Sequence, residues 1–237
     1  MINSYDTQYK HHLYRILKDG IDSDDRTGTG TRKVFDVNFN IDLRHEVEGE
    51  HLLPALTLRQ VFPRTAFYEM VWMLSGNTDV NWLKDKGISI WDGNSSREYL
   101  DANGLPHIKE GHIGRAYGYQ FRNSSGVDQL AKVLHSLTVD PQGRRHMINL
   151  WNVADLDDMA LVPCHYSYQF MVTGEHLNLK LTQRSGDFVL GVPTNAMFST
   201  FFLTLMADMT GYKVGTFAHS ITDAHVYLNH LEAAETL

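Results

Sequence analysis

Residues 166–186 read YSYQFMVTGEHLNLKLTQRSG. Leu177, Leu179 and Leu181 alternate with polar neighbours, the period of a strand with one buried face. Gly174 and Glu175 stand between two such runs, which predicts a hairpin. Downstream, TNAMFSTFFLTLMADMTG (194–211) is apolar on most faces, so it predicts a buried helix closed by Gly211. Upstream, RRHMINLWNV (144–153) reads as another strand. Residues 128–138, DQLAKVLHSLT, read as a helix with Asp128 as N-cap. Residues 63–78, PRTAFYEMVWMLSGNT, place Phe67, Met70, Val71 and Leu74 on one helical stripe, and DVNWLKDKG (79–87) predicts a short helix. At the N-terminus, Tyr9, Leu13, Ile16 and Leu17 have helical spacing before Gly20. DDRTGTGTRKVFDVNFNIDL (24–43) predicts a flexible loop running into a strand with Val34, Val37, Phe39 and Ile41. Helices and strands are mixed without regular βαβ alternation, which predicts an α+β fold. No linker-like stretch interrupts the chain, so residues 1–237 are read as one domain.

The composition narrows the function. The net charge of −7 disfavours broad nucleic-acid binding but allows a local basic pocket. A lone cysteine excludes an intramolecular disulfide and leaves one sulfur for any metal, so no metal site is expected. The N-terminus lacks an apolar signal core, and no stretch has the roughly 18 apolar residues of a membrane helix. These features predict a cytoplasmic protein with no membrane partner.

That cysteine, Cys164, stands in LVPCHYSYQF (161–170). A free cysteine can be a small buried hydrophobe or a nucleophile, and its surroundings decide. Arg26, the adjacent Arg144 and Arg145, and Arg184 are either solvated charges or anion ligands. Glu69 on an otherwise apolar helix must be exposed, paired or functional. LTQRSGDFVLGVPTNAMF (181–198) gathers Gln183, Arg184, Ser185, Asp187 and Asn195, either as a pocket wall or as a long polar loop. His225 and Tyr227 alternate on a strand and face one side, at a pocket or at a half-buried edge.

Taken together, DRTGTGT, FYEMVWMLSGNTDVNWL, GISIWDGNSSREYL, YGYQFR, GRRHMINLWN, MALVPCH, QRSGDFVLGVPTN and TDAHVYLNHLE resemble the thymidylate synthase family in order and spacing, over almost the whole chain. That family includes deoxypyrimidylate hydroxymethylases, many from bacteriophages; a phage-encoded protein would work in the host cytoplasm. The resemblance implies a mixed sheet with surrounding helices and a homodimer packed through sheets. It implies dUMP as substrate and 5,10-methylenetetrahydrofolate as cosubstrate. Cys164 would be the nucleophile, with Arg184 favouring its thiolate. Arg26 and Arg184 would bind phosphate, joined by Arg144 and Arg145 from the partner subunit. Asn195 would read the base: its amide oxygen accepts from N3–H and its NH₂ donates to O4, which fits uracil. Gln183, Ser185 and Asp187 would also line the substrate site. His225 and Tyr227 would bind the deoxyribose 3′-hydroxyl, and Glu69 would act through ordered water, supported by Tyr117 and His165. Trp91, Asn94, Asp187, Leu190, Gly191 and Thr194 match positions that hold the folate.

Two departures bear on the product. The chain stops seven residues after His230, before the tail that closes over folate in a typical synthase. Thr194 stands where synthases usually carry phenylalanine. Both favour water entry, so the preferred expectation is a deoxyuridylate hydroxymethylase making 5-hydroxymethyl-dUMP. The alternative is a thymidylate synthase making dTMP and dihydrofolate. The remote one is a non-catalytic nucleotide- or RNA-binding regulator. HIGRAYGYQF (112–121) also differs from the usual synthase pattern DLGPVYG, through His112, Arg115 and Ala116.

Overall fold

The hairpin expected over 166–186 forms, as strands β6 (His165–Thr173) and β7 (His176–Asp187) with Gly174 at φ +58° in the turn. The computed structural model describes residues 4–44, 46–47, 50–51 and 55–237. Before the hairpin come α1 (Ser4–Asp19), β1 (Ile21–Ser23), β2 (Thr31–Asp42), β3 (Glu46–Val47), β4 (Glu50–His51), α2 (Pro63–Leu74), α3 (Asn81–Lys84), α4 (Asp92–Ser95), α5 (Arg97–Ala102), α6 (Gly118–Asn123), α7 (Gln129–Val139) and β5 (Met147–Asn149). After it come α8 (Gly191–Thr210), β8 (Lys213–Tyr227) and α9 (Leu231–Glu235).

Six strands form one sheet in the order β1-β2-β8-β7-β6-β5. Every pairing is antiparallel except β7 with β8, and the long α8 makes that crossover. The sheet is mixed and the fold is α+β, as expected. Leu177, Leu179 and Leu181 are all buried, so the alternation in the sequence reports the core face. The helix α8 packs against β7, β8 and α2, and α1 packs on β2. Gly211 closes α8 at φ +77°, a conformation open to glycine without a Cβ clash. Asp128 caps α7 by accepting the Ala131 N–H at 2.9 Å.

Three expectations need correction. The buried face of α2 carries Ala66, Glu69, Met70 and Met73, while Phe67 is 43% exposed and Val71 half-buried. The helix is turned so that its carboxylate faces inward. The strand expected over 144–153 contracts to the three residues of β5, because the Gln129 side chain bonds both backbone groups of Asn149 and Asn152 then caps a short turn. In β2, Val34 and Val37 break the two-residue period because Asp36 between them has φ +56°.

Register matters more for function than the order of strands. The pairing of β6 with β7 sets His165 opposite Gln183, and the pairing of β7 with β8 sets Ser185 beside Asp223 and Asp187 beside His225. The start of β6 and the ends of β7 and β8 therefore meet at one place. Among the described residues no helix is long and apolar enough to cross a membrane.

Candidate active site

Cys164 immediately precedes β6, and its carbonyl accepts the Arg184 N–H at 2.9 Å. This backbone bond brings the two side chains together. Arg184 donates from Nε to the Pro163 carbonyl at 2.9 Å and from Nη2 to the Val162 carbonyl at 3.0 Å, and Nη2 lies 3.8 Å from Cys164 Sγ. Its guanidinium lies 5.7 Å from the Trp151 ring centroid. No carboxylate pairs with it among the described residues, so its charge remains available to an anion. The Cys164 N–H donates to the Tyr117 hydroxyl at 2.9 Å. Burial pushes the thiol above its ordinary range, while Arg184, the Tyr117 hydroxyl and Arg26 pull it down. Burial prevails in this chain alone, so Arg184 offsets rather than overturns it.

Sγ faces a cavity of about 340 Å³ lined by Arg26, Arg184, Ser185, His225 and Tyr227 among others. Past Arg26, Leu161 and Arg184 the space opens into a second cavity of about 690 Å³ that reaches Trp151 and Tyr99. The loop carrying Arg26 is not slack, as the sequence suggested. Asp25 accepts the Thr27 N–H at 2.9 Å, the Thr27 hydroxyl at 2.6 Å and the Gly30 N–H at 2.7 Å. Gly28 and Gly30 sit at φ +76° and +79° and make this tight wrapping possible. Arg26 itself has no ion-pair partner among the described residues. Two guanidinium groups on one cavity, neither ion-paired among the described residues, suit a phosphate.

On the opposite wall His225 and Tyr227 share a face, as their alternation predicted, with ring centroids 5.3 Å apart. His225 Nδ1 lies 2.9 Å from Asp223 Oδ1, which fixes the ring. Asp223 is held below the ordinary carboxylate range, first by His225. Asp223 and Lys33 also line the cavity and were not singled out from sequence. Their place in alternating strands was visible, but not the pairing that brings them to the thiol.

Behind the thiol lies a buried polar cluster. Glu69 Oε1 accepts the Trp91 indole N–H at 2.8 Å. Burial pushes the carboxyl up to about 7, against the pull of that bond. Tyr117 packs edge-on to Trp91 at 5.5 Å and tilted on His165 at 4.8 Å. His165 Nδ1 and the Tyr168 hydroxyl are 2.5 Å apart, and burial pushes His165 down to about 3, so the ring is neutral. Tyr117 adopts φ +32°, a region that costs a non-glycine residue about 1–3 kcal/mol.

The remaining candidates sit elsewhere or are already engaged. Gln183 is buried; it accepts the His219 Nε2–H at 2.8 Å and donates to the Ser185 carbonyl at 2.8 Å. Asp187 Oδ1 accepts the Val189 and Leu190 N–H groups at 3.0 and 3.2 Å and shapes the turn into α8. Leu190 is 50% exposed at that turn, and Gly191 begins the helix. Thr194 Oγ1 donates to the Leu190 carbonyl at 3.1 Å. Asn195 follows as the fifth residue of α8, half-buried, and its amide makes no hydrogen bond among the described residues. Asn94, half-buried in α4, is likewise unbonded. Trp91 is buried, and its one polar atom is taken by Glu69. Arg144 and Arg145 are exposed ahead of β5, and Arg145 lines a separate cavity with Lys132 and Ser136. This chain does not bring them to its own thiol.

Comparison with known proteins agrees with this geometry. The thymidylate synthase family profile matches residues 7–237. The chain is 40% identical to human thymidylate synthase over 238 residues, covering 95% of this chain and 74% of that protein. It is 39% identical to the thymidylate synthase of equine herpesvirus 2 over 245 residues, covering 98% of this chain and 83% of that protein. A bifunctional dihydrofolate reductase-thymidylate synthase of Zea mays is 39% identical over 241 residues, covering 96% of this chain and 45% of that protein. A thiol sharing its cavity with two arginines, a buried carboxyl behind it and a match across nearly the whole length lead to one conclusion: the chain belongs to the thymidylate synthase family.

Proposed function

We propose that this enzyme transfers a one-carbon unit to C5 of dUMP and releases dTMP. The observation that carries the reading is the Cys164 thiol, 3.8 Å from Arg184, on a cavity shared with Arg26, His225 and Tyr227. In this reading Arg26 and Arg184 bind the nucleotide phosphate, and His225 and Tyr227 receive the sugar hydroxyl. Asn195, whose amide makes no hydrogen bond among the described residues, accepts from N3–H and donates to O4 of uracil. Cys164 Sγ adds to C6, and the C5–C6 π pair moves onto O4. The resulting enolate makes C5 nucleophilic. Glu69, poised near pH 7, holds and returns protons at O4 and C5. After transfer the C5 proton leaves, and Sγ departs from C6 as the ring double bond re-forms.

Methylenetetrahydrofolate, the family's cosubstrate, supplies the carbon and, in a synthase, the hydride. The residues present fit it. Exposed Leu190 with half-buried Gly191 and Thr194 offers a wall at the start of α8, and among the described residues the Asn94 amide and Asp187 Oδ2 are unbonded. Trp91 would contribute its ring and no hydrogen bond. Arg144 and Arg145, remote from their own thiol, would reach the partner's cavity in a homodimer.

The order of the two product readings reverses the sequence expectation. Relatives near 40% identity carry the name thymidylate synthase, which favours dTMP. One observation still favours 5-hydroxymethyl-dUMP. Thr194 turns its hydroxyl back to Leu190 and presents no aromatic ring there, so a contact worth about 1 kcal/mol beyond burial is missing. Incubation with dUMP and methylenetetrahydrofolate, followed by nucleotide mass and dihydrofolate absorbance, separates them. A product lacking added oxygen, with dihydrofolate formed, supports the synthase; a hydroxymethyl mass without dihydrofolate refutes it.

A further inference from the structure

The stretch HIGRAYGYQF, where this chain departs from the usual synthase pattern, supports an inference of its own. Arg115 Nη1 donates to Asp155 Oδ1 at 2.7 Å, and Arg115 Nε lies 3.5 Å from Asp158 Oδ2. The other Asp155 oxygen accepts Gln120 Nε2–H and Asn152 Nδ2–H, each at 2.8 Å. Gln120 also donates to the Arg115 carbonyl at 2.9 Å. The backbone repeats the connection: the Arg115 N–H donates to the Asp158 carbonyl at 2.8 Å, and the Ala160 N–H to the Ile113 carbonyl at 3.1 Å. Gly114 lies in this seam at φ +67°, and a Cβ there would meet the Asp158 carbonyl oxygen at 2.2 Å. Two loops are thus held together, one carrying Tyr117 and the other running through Met159 to Cys164.

We propose that the Arg115–Asp155 pair positions the thiol, by locking the Tyr117 loop to the Cys164 loop so that the Tyr117 hydroxyl meets the Cys164 N–H. Tyr117 holds φ +32° without glycine's freedom, so something outside its own residue must keep it there. The carboxylate of Asp155 is buried and gathers three donors from both loops, which is where such a constraint would be set. The Tyr117 hydroxyl also helps draw the thiol down against burial, so releasing it leaves less thiolate. Arg115, Asp155 and Gln120 do not line the thiol cavity.

The inference rests on the reading of Cys164 as nucleophile. The test is Arg115→Met in the full chain, with circular dichroism confirming the fold. We expect kcat to fall about tenfold, the scale of a small misplacement, with KM for dUMP within about twofold of the unaltered protein. Alkylation of Cys164 by iodoacetamide at pH 8, read without substrate on the lone cysteine, should slow. Arg115→Lys, which keeps the charge and the N–H, should recover most of kcat and the alkylation rate. A folded Arg115→Met protein with unchanged kcat and alkylation rate overturns the proposal. If Arg115→Met does not fold, Asp155→Asn makes the same comparison from the other side of the pair: reduced kcat and slower alkylation at unchanged KM support the lock, and unchanged kcat and alkylation overturn it. Cys164→Ala retaining turnover would instead refute the nucleophile reading, whatever Arg115 does.

Discussion

The Trp91 indole donates to Glu69 Oε1 at 2.8 Å, with both side chains buried. This one bond keeps a carboxyl inside an apolar helix face without an ion pair. It also moderates the rise that burial imposes on the acid. Removing the donor by Trp91→Phe should therefore move Glu69 further up. The acidic limb of the kcat profile should shift to higher pH; an unmoved limb would separate Trp91 from the titration.

Glu69→Gln keeps the shape and removes the proton. Turnover should fall about a hundredfold, the usual scale for a lost general acid or base. Stability should change in the opposite sense. The folded carboxyl holds its proton up to about pH 7, whereas the unfolded one releases it near 4.5. Folding is therefore unopposed by this group below about 4.5, and its cost grows as pH rises to about 7, to about 3 kcal/mol. Denaturant melts at pH 4.5 and pH 7.5 check this: the unaltered protein should lose more stability between them than Glu69→Gln.

Asp25 wraps the Arg26 loop with three hydrogen bonds. Asp25→Ala should free that loop and leave the thiol environment otherwise intact. KM for dUMP should rise about tenfold with kcat little changed, the pattern of lost uniform binding. Initial-rate kinetics decide it.

Arg144 and Arg145 are exposed and do not line the thiol cavity of their own chain. In the proposed homodimer they complete the partner's site. Mixing inactive Cys164→Ala with an inactive Arg144→Ala, Arg145→Ala double variant should restore about a quarter of the sites, since random pairing puts one intact site in half of the dimers. No recovery after subunit exchange would refute the shared site.

Much of this architecture is legible in the sequence, because periodicity and end signals act locally. The Leu177, Leu179 and Leu181 alternation, the Gly211 stop and the Asp128 cap each name their own element. Register across the sheet is not local. The approach of Asp223 and Lys33 to the thiol depends on the parallel pairing of β7 with β8 and on its neighbour β2. The bond from Cys164 to Tyr117 spans 47 residues and leaves no periodic trace. Burial of Glu69 rather than Phe67 depends on how α2 is turned, which Met70 and Leu74 leave open. Thr194 is polar by its identity and bonds back to Leu190, but a residue's type alone does not fix what the enzyme releases.

The central claim is that Cys164 is the nucleophile of a one-carbon transfer to dUMP. The direct measurement is turnover and dUMP affinity of Cys164→Ala, by product mass and by calorimetry. The account predicts no detectable product and a dUMP affinity within about threefold of the unaltered protein, because Arg26, Arg184, His225 and Tyr227 remain in place. Product formation at the unaltered rate would contradict it.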